Sequence, residues 1–172
     1  MLNNYEIEKM LTTNKVYLTY STITNNNFFQ FLKNNYDIIC RDNVSLLIYT
    51  ALLEKLRSSS RIPFINNVEK REKFIRVINS LIDRGILKTF GLLSDVNENN
   101  GVVLDILKDT QFDKAAVICN DSTFSADLIK LNRLKSVSEK PRITVYRLNR
   151  GGEVGFYNSN YDNVFLKEEI LW

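Results

Sequence analysis

One stretch of the sequence decides the fold: Ala115-Ala116-Val117-Ile118-Cys119-Asn120-Asp121. Its first five residues are apolar and lack a 3.6-residue period, which is typical of an interior strand of a parallel sheet. Polar residues follow at once, and the apolar spacing of Phe124–Leu134 then predicts a helix. Ligands of α/β sheets bind outside the carboxyl ends of the strands. Asp121 therefore lies where a ligand site is expected.

Asp121 also has a purely structural interpretation. The run Asn120-Asp121-Ser122-Thr123 consists of residue types that commonly cap the N-terminus of a helix. Either Asp121 or Ser122 is suited to cap the helix that follows. The local residues alone favour this capping role over a functional one.

The rest of the chain alternates between strand and helix patterns. Strands are predicted at Lys15–Thr19, Ala115–Cys119 and Arg142–Leu148, and weaker ones at Tyr36–Cys40 and Gly85–Phe90. A terminal hairpin is predicted to pair Arg142–Leu148 with Glu153–Tyr157. Helices are predicted at Asn26–Asn34, Val44–Leu56, Asn67–Asp83, Asn100–Lys108 and Phe124–Leu134. This alternation predicts an α/β fold with three layers, α/β/α, around a twisted, mainly parallel central sheet.

Size and composition limit the possible classes of function. The chain has 172 residues, which suits one domain. We expect that domain over residues 15–150, after an N-terminal extension or short helix at residues 1–14 and before a C-terminal hairpin or tail at residues 151–172. The 23 basic and 20 acidic residues permit a nucleic-acid partner without requiring one. The chain has no histidine, which excludes Ser-His and Cys-His catalysis and the histidine ligands of most zinc sites.

The cysteines and the apolar runs indicate the cellular compartment. Cys40 and Cys119 each end an apolar run, so we expect both to be reduced thiols in the core. No apolar run approaches the ~20 residues that span a bilayer, and the N-terminus lacks a signal pattern. A soluble, cytoplasmic protein with no membrane partner is expected.

Four pieces of the sequence resemble, in order, the motifs of the PIN-domain nucleases. Val117–Leu128, a strand that ends in a small polar residue, Asn and an acid before a helix, resembles the family signature. Val16–Ile23 resembles its opening strand and hydroxyl-rich turn. Leu52–Leu56 resembles its helix with an inward acid, and Asn99–Leu104 the helix start that precedes the signature strand. The resemblance covers roughly residues 15–148.

The resemblance implies a PIN-like fold and a metal-dependent endoribonuclease that hydrolyses phosphodiester bonds at an acidic cluster. Such a cluster holds one or two Mg²⁺ or Mn²⁺ ions, which activate water. Glu54 and Asp121 match the family's acids and are the candidate catalytic residues, whereas Thr19 and Asn100, or Asn99 in its place, stand where it has other acids. These four residues, with Asp127 as a substitute acid, are the candidate metal ligands. Further substitutes are Asp95, Glu98 and Asp105, although a solvated surface position explains each substitute more simply.

Polar and basic residues near these motifs are the candidate contacts to nucleic acid. RNA is the expected partner, with DNA as the alternative. The candidate nucleic-acid-binding residues are Ser21, Asn120, Ser122, Arg57, Lys130 and Arg133. Arg61 adds a charge after the Glu54 helix, and Tyr20 and Tyr36 offer rings on which a base can stack. Phe28 and Phe29 also lie near the first strand but suit the core better.

Neutral residues at two of the acid positions leave other functions open. One is a catalytically degenerate PIN-like module that binds nucleic acid or a protein partner without cutting. Another is a structural subunit or homodimer, in which the apolar tail from Val164 to Trp172 docks onto a partner.

Overall fold

The computed structural model describes residues 1–92, 97–108, 114–134 and 142–157, and omits the side chains of Glu98, residues 132–134 and Arg142. The strands are β1 (Lys15–Leu18), β2 (Leu46–Tyr49), β3 (Leu87–Phe90), β4 (Lys114–Ile118), β5 (Arg142–Leu148) and β6 (Val154–Phe156). The helices are α1 (Asn4–Thr13), α2 (Tyr20–Ile23), α3 (Phe28–Asn34), α4 (Tyr36–Arg41), α5 (Thr50–Ser58), α6 (Val68–Asp83), α7 (Glu98–Lys108) and α8 (Ser122–Leu134). A short 3₁₀ turn at Arg150–Gly152 joins β5 to β6.

One sheet contains these six strands in the order β3-β2-β1-β4-β5-β6. Strands β1 to β5 run parallel, and β6 pairs with β5 in the antiparallel direction. Leu18 lies between Ile48 and Ile118, so β2, β1 and β4 end side by side. The prediction of a mainly parallel α/β sheet with a terminal hairpin is therefore confirmed.

Helices cover both faces of the sheet. Successive residues of a strand point to opposite sides, so each strand contributes side chains to both faces. Val16 and Leu18 belong to a core cluster that also contains buried residues of α1 and of α3 to α6. Tyr17 belongs to a second cluster with Val117 and buried residues of α7 and α8. Each buried Leu, Ile or Phe contributes about 1.5–3 kcal/mol to this packing. The two clusters are the two interfaces of a three-layer fold.

The prediction of one helix over Val44–Leu56 was wrong in its first half. Leu46–Tyr49 forms β2 in the interior of the sheet, and only Thr50–Ser58 is helical. All four residues of β2 are buried. A strand buried on both faces has a continuous apolar sequence, which periodicity cannot distinguish from a buried helix.

The prediction of a strand at Tyr36–Cys40 was also wrong, because these residues form α4. Ile39 is buried in the core cluster, Ile38 packs against it, and the other three residues face solvent. Cys40 is therefore exposed and not in the core as predicted, whereas Cys119 is buried as predicted. The β-forming residues of this segment form only one side of a short helix.

The remaining predicted elements agree with the structure to within a few residues. Arg142–Leu148 has the predicted bounds, and Gly85–Phe90 contains β3. The N-terminal helix α1 begins with a capping box between Asn3 and Glu6. The predictions for Asp95 and Val164–Trp172 lie outside the described residues.

We predict that the buried ring of Tyr49 can pack against α7 only because residue 101 is a glycine. A Cβ atom at Gly101 would lie 2.5 Å from Cζ of the Tyr49 ring, which is only 1% exposed. Alanine favours a helix over glycine by about 1 kcal/mol, but overpacking a core costs about 1–3 kcal/mol. Gly101→Ala should therefore lower the free energy of unfolding, measured by urea titration, in the wild-type background. In a Tyr49→Leu background the same change should be neutral or stabilising, and equal effects in both backgrounds would contradict the contact.

Candidate functional site

The carboxyl ends of β2, β1 and β4 meet at one edge of the sheet, which we call the carboxyl edge. Thr50 begins α5 directly after β2, Thr19 follows β1, and Cys119 to Asp121 follow β4. Since neighbouring parallel strands end together, these three connections are adjacent. The edge therefore has the topology that the sequence predicts for a ligand site.

Thr19, which stands where the resemblance places an acid, is buried with 3% of its surface exposed. Its Oγ1 donates to the carbonyl oxygen of Ile118 at 3.3 Å and lies 3.0 Å from the Ser21 hydroxyl and 3.3 Å from the Thr22 hydroxyl. Thr22 Oγ1 donates to the same carbonyl at 2.6 Å. The Thr19 hydroxyl therefore joins the end of β1 to the end of β4.

Asn120 and Ser21, both predicted to contact nucleic acid, also hold the edge together. The Asn120 side chain donates to the carbonyl of Leu148 at 2.8 Å and accepts from its amide at 3.1 Å. This pair of bonds extends the pairing of β4 with β5 beyond the end of β4. The backbone amide of Asn120 donates to Ser21 Oγ at 3.0 Å. Both side chains thus have hydrogen-bond partners inside the protein.

Asp121 is exposed and caps α8. Its Oδ1 accepts from the amide of Phe124 at 3.0 Å, and Ser125 Oγ donates to its carbonyl at 2.7 Å. The bond between Asp121 Oδ1 and the amide of Phe124, the third residue of the helix, is the usual N-cap interaction. Ser122 is also exposed, and its carbonyl accepts from Tyr157 Oη at 3.4 Å. The capping interpretation of the local sequence is therefore confirmed for Asp121.

Glu54 and Arg57, predicted for two different roles, pair with each other on α5. Arg57 Nη1 donates to Glu54 Oε1 at 3.2 Å, and Arg57 Nη2 donates to Asn79 Oδ1 at 2.8 Å. Both side chains are close to half exposed, so the ion pair contributes only about 0–1 kcal/mol. Glu54 lies in the second turn of the helix that follows β2, and Asp121 lies directly after β4, so the two acids come from the connections on either side of β1.

The remaining predicted residues lie on α7 and α8. Asn100 lies exposed in the first turn of α7, and Asp127 and Lys130 lie exposed along α8. Asp105 bonds to Lys15 Nζ at 3.0 Å and to Tyr17 Oη at 2.5 Å, on the side of β1 where the strand begins. The side chains of Arg133 and Glu98 are outside the described part of the chain.

These residues do not fit the Mg²⁺ or Mn²⁺ cluster that the resemblance implies. Within the described ranges, no three His, Cys, Asp or Glu side chains lie close enough to hold a metal ion. The oxygen of Thr19 is buried and already donates its proton to Ile118. No metal-dependent step is derived for this edge.

One feature of the edge escaped the sequence interpretation. Lys55 Nζ lies 4.3 Å from the centre of the Tyr20 ring, which follows Thr19 directly. A cation over an aromatic face is attracted by the ring quadrupole. The sequence indicated Tyr20 as a stacking residue, but Lys55 followed Glu54 without any signal that it would reach that ring. The edge thus carries a paired cation and aromatic ring beside Thr19.

No family model matches the sequence, and no curated protein matches it. Among solved structures, the chain is similar to the PIN domain endonuclease Utp24, with 11% identity and a TM-score of 0.44. The similarity covers 83% of this chain and 90% of that chain. Among the described helices, none is both long and apolar enough to cross a membrane.

The capping role of Asp121 predicts how two substitutions differ. Asp121→Ala removes the acceptor for the Phe124 amide and should lower the free energy of unfolding by about 0.5–2 kcal/mol. Asp121→Asn retains a side-chain oxygen and should lose only the smaller charge interaction with the helix dipole, about 0.3–1 kcal/mol. Urea unfolding followed by circular dichroism measures both values. Equal stability of the two variants would contradict the cap.

Proposed function

We propose that this protein is a catalytically degenerate PIN-like module that binds single-stranded RNA at the carboxyl edge without cutting it. The observation that carries the proposal is the buried hydroxyl of Thr19, which donates to Ile118 in the position where the resemblance requires a metal-binding acid. A nuclease of the implied kind needs several carboxylates around one or two hard cations. The described residues supply a threonine at this position, with Glu54 in the helix after β2 and Asp121 directly after β4.

Support for a nucleic-acid ligand comes from the charges around the edge. Lys55, Arg57 and Lys130 are exposed on the two helices that leave it, and the chain carries a net charge of +3. Exposed Lys and Arg neutralise phosphates, and an aromatic ring beside them can stack on an unpaired base. Lys55 and Tyr20 provide both groups within one contact. DNA is the alternative ligand, because phosphates and bases are common to both nucleic acids.

The competing function is a metal-dependent endoribonuclease. The observation that favours it is the placement of Glu54 after β2 and Asp121 after β4, on both sides of β1. Because Mg²⁺ commonly keeps several waters and takes only one or two protein carboxylates, two acids could supply all the carboxylates that one ion needs. Cleavage assays separate this function from binding alone.

The proposal predicts metal-independent binding without metal-dependent cleavage. In EDTA, a fluorescein-labelled single-stranded RNA should bind the wild type in an anisotropy titration. The affinity should fall as salt is added. With Mn²⁺, wild type and Asp121→Asn should leave the RNA equally intact on a denaturing gel. Cleavage that requires Mn²⁺ and is lost in Asp121→Asn would establish the nuclease, and failure to bind RNA would remove the nucleic-acid ligand.

A matched pair of charge variants tests where the RNA binds. Lys55→Gln should weaken binding. It should also make the dependence of log affinity on log salt concentration less steep, by the amount expected for about one phosphate contact. Lys9→Gln removes the same charge from an exposed position of α1, beside Lys114 at the opposite edge of the sheet, and should leave binding unchanged. Equal losses in the two variants would show nonspecific attraction and would contradict a site at the carboxyl edge.

A further inference from the structure

A groove outside the predicted site opens next to Tyr20. It lies between the segment from Ser60 to Asn67 and the first turns of α6, and its volume is about 650 Å³. Cavities that hold small ligands have volumes of roughly 300–1,000 Å³. Tyr20 lines this groove and also carries Lys55 over its ring, so the groove continues from the carboxyl edge.

The walls of the groove are positively charged. Arg61 and Arg71 line it, Asn66 and Asn67 add amide side chains, and none of the described lining residues is acidic. Arg71 donates from Nε to the carbonyl of Ser59 and from Nη2 to the carbonyl of Arg57, which holds the loop in place. The charge and the polar groups of this surface complement a polyanion.

Unlike the guanidinium of Arg71, that of Arg61 does not hold any described part of the structure in place. Its side chain is exposed, and among the described residues no hydrogen bond or ion pair engages its guanidinium. Its backbone, by contrast, is fixed by two bonds with the Ser59 hydroxyl. A guanidinium on a fixed backbone at the mouth of a groove is suited to bind a phosphate with two parallel hydrogen bonds.

An exposed aromatic residue projects from the tip of the same loop. Ile62 to Ile65 form a tight turn, in which the Ile65 amide donates to the Ile62 carbonyl at 3.1 Å. Phe64 is the third residue of this turn, has a φ of +63°, and is 75% exposed. A positive φ at the third position of a turn favours glycine and strains a bulky residue. The fold gains no burial in return, which points to a role for the ring outside the fold.

We propose that Phe64, Arg61 and the groove form a binding surface for single-stranded nucleic acid, with one base stacked on Phe64 and the adjacent phosphates on Arg61 and Arg71. This inference rests on the proposed function and extends its site away from the acids. A single strand fits because its bases expose π-faces, whereas those of a duplex are stacked on each other. From Tyr20 the strand continues to Lys55 at the carboxyl edge.

The first test replaces Phe64 in two ways. Phe64→Gly should raise the melting temperature, because glycine adopts the positive φ without strain. It should also weaken binding of single-stranded RNA in EDTA by about tenfold, since stacking of a base on an aromatic ring contributes about 1–3 kcal/mol. Phe64→Ala should weaken binding to the same extent. Tyr5→Ala removes a ring that is 72% exposed on α1 and should leave binding unchanged.

The second test removes the charge and changes the ligand. Arg61→Gln should weaken binding and reduce its salt dependence, and Lys9→Gln is the matched control. A duplex of the same sequence should compete poorly. If wild type binds single-stranded RNA but the Phe64 and Arg61 variants bind equally well, this surface is wrong and the proposed function stands. Equal binding of the duplex would contradict stacking on Phe64, and no binding by wild type would overturn both proposals.

Discussion

The carbonyl oxygen of Ile118 accepts hydrogen bonds from the hydroxyls of Thr19 and Thr22, and the carboxyl edge depends on these two bonds. They join the last residues of the two central strands where the regular ladder ends. Each bond contributes about 0.5–1.5 kcal/mol, and an unpaired buried carbonyl would cost more. Asn120 repeats the arrangement on the next strand pair through Leu148. The polar residues after the strands thus complete the sheet.

This use of polar side chains limits the chemistry that the edge can perform. A metal cluster needs several anionic oxygens directed at one point, whereas the central side chain here is neutral, buried and already bonded. Asp121 and Glu54 lie on either side with their own partners, the α8 amide and Arg57. The other charged and aromatic groups near the edge are Lys55 over Tyr20, Arg61 and Phe64. Such groups bind a strand of nucleic acid through its phosphates and bases without activating water.

The sequence predicted the sheet well where apolar runs were short and clearly bounded. Arg142–Leu148 begins after a proline and has the predicted limits. Leu46–Tyr49 was missed, because its apolar sequence continues directly into that of the next helix. The site was less predictable because its contacts are distant in sequence. Thr19 and its acceptor Ile118 are 99 positions apart, so burial of that hydroxyl follows from the β1–β4 register alone. Phe64 gave no signal, since a positive φ at a phenylalanine is not the conformation that its sequence favours.

The most direct measurement is the melting temperature of the protein as Mn²⁺ is added in the absence of RNA. A ligand that binds only the folded state stabilises it by about 2.7 kcal/mol at 100 times its dissociation constant. An edge built on neutral, paired side chains predicts no rise for wild type, and the same flat titration for Asp121→Asn. A rise in wild type that depends on Mn²⁺ concentration and disappears in Asp121→Asn would show a metal centre and contradict the hydrogen-bonded role of Thr19.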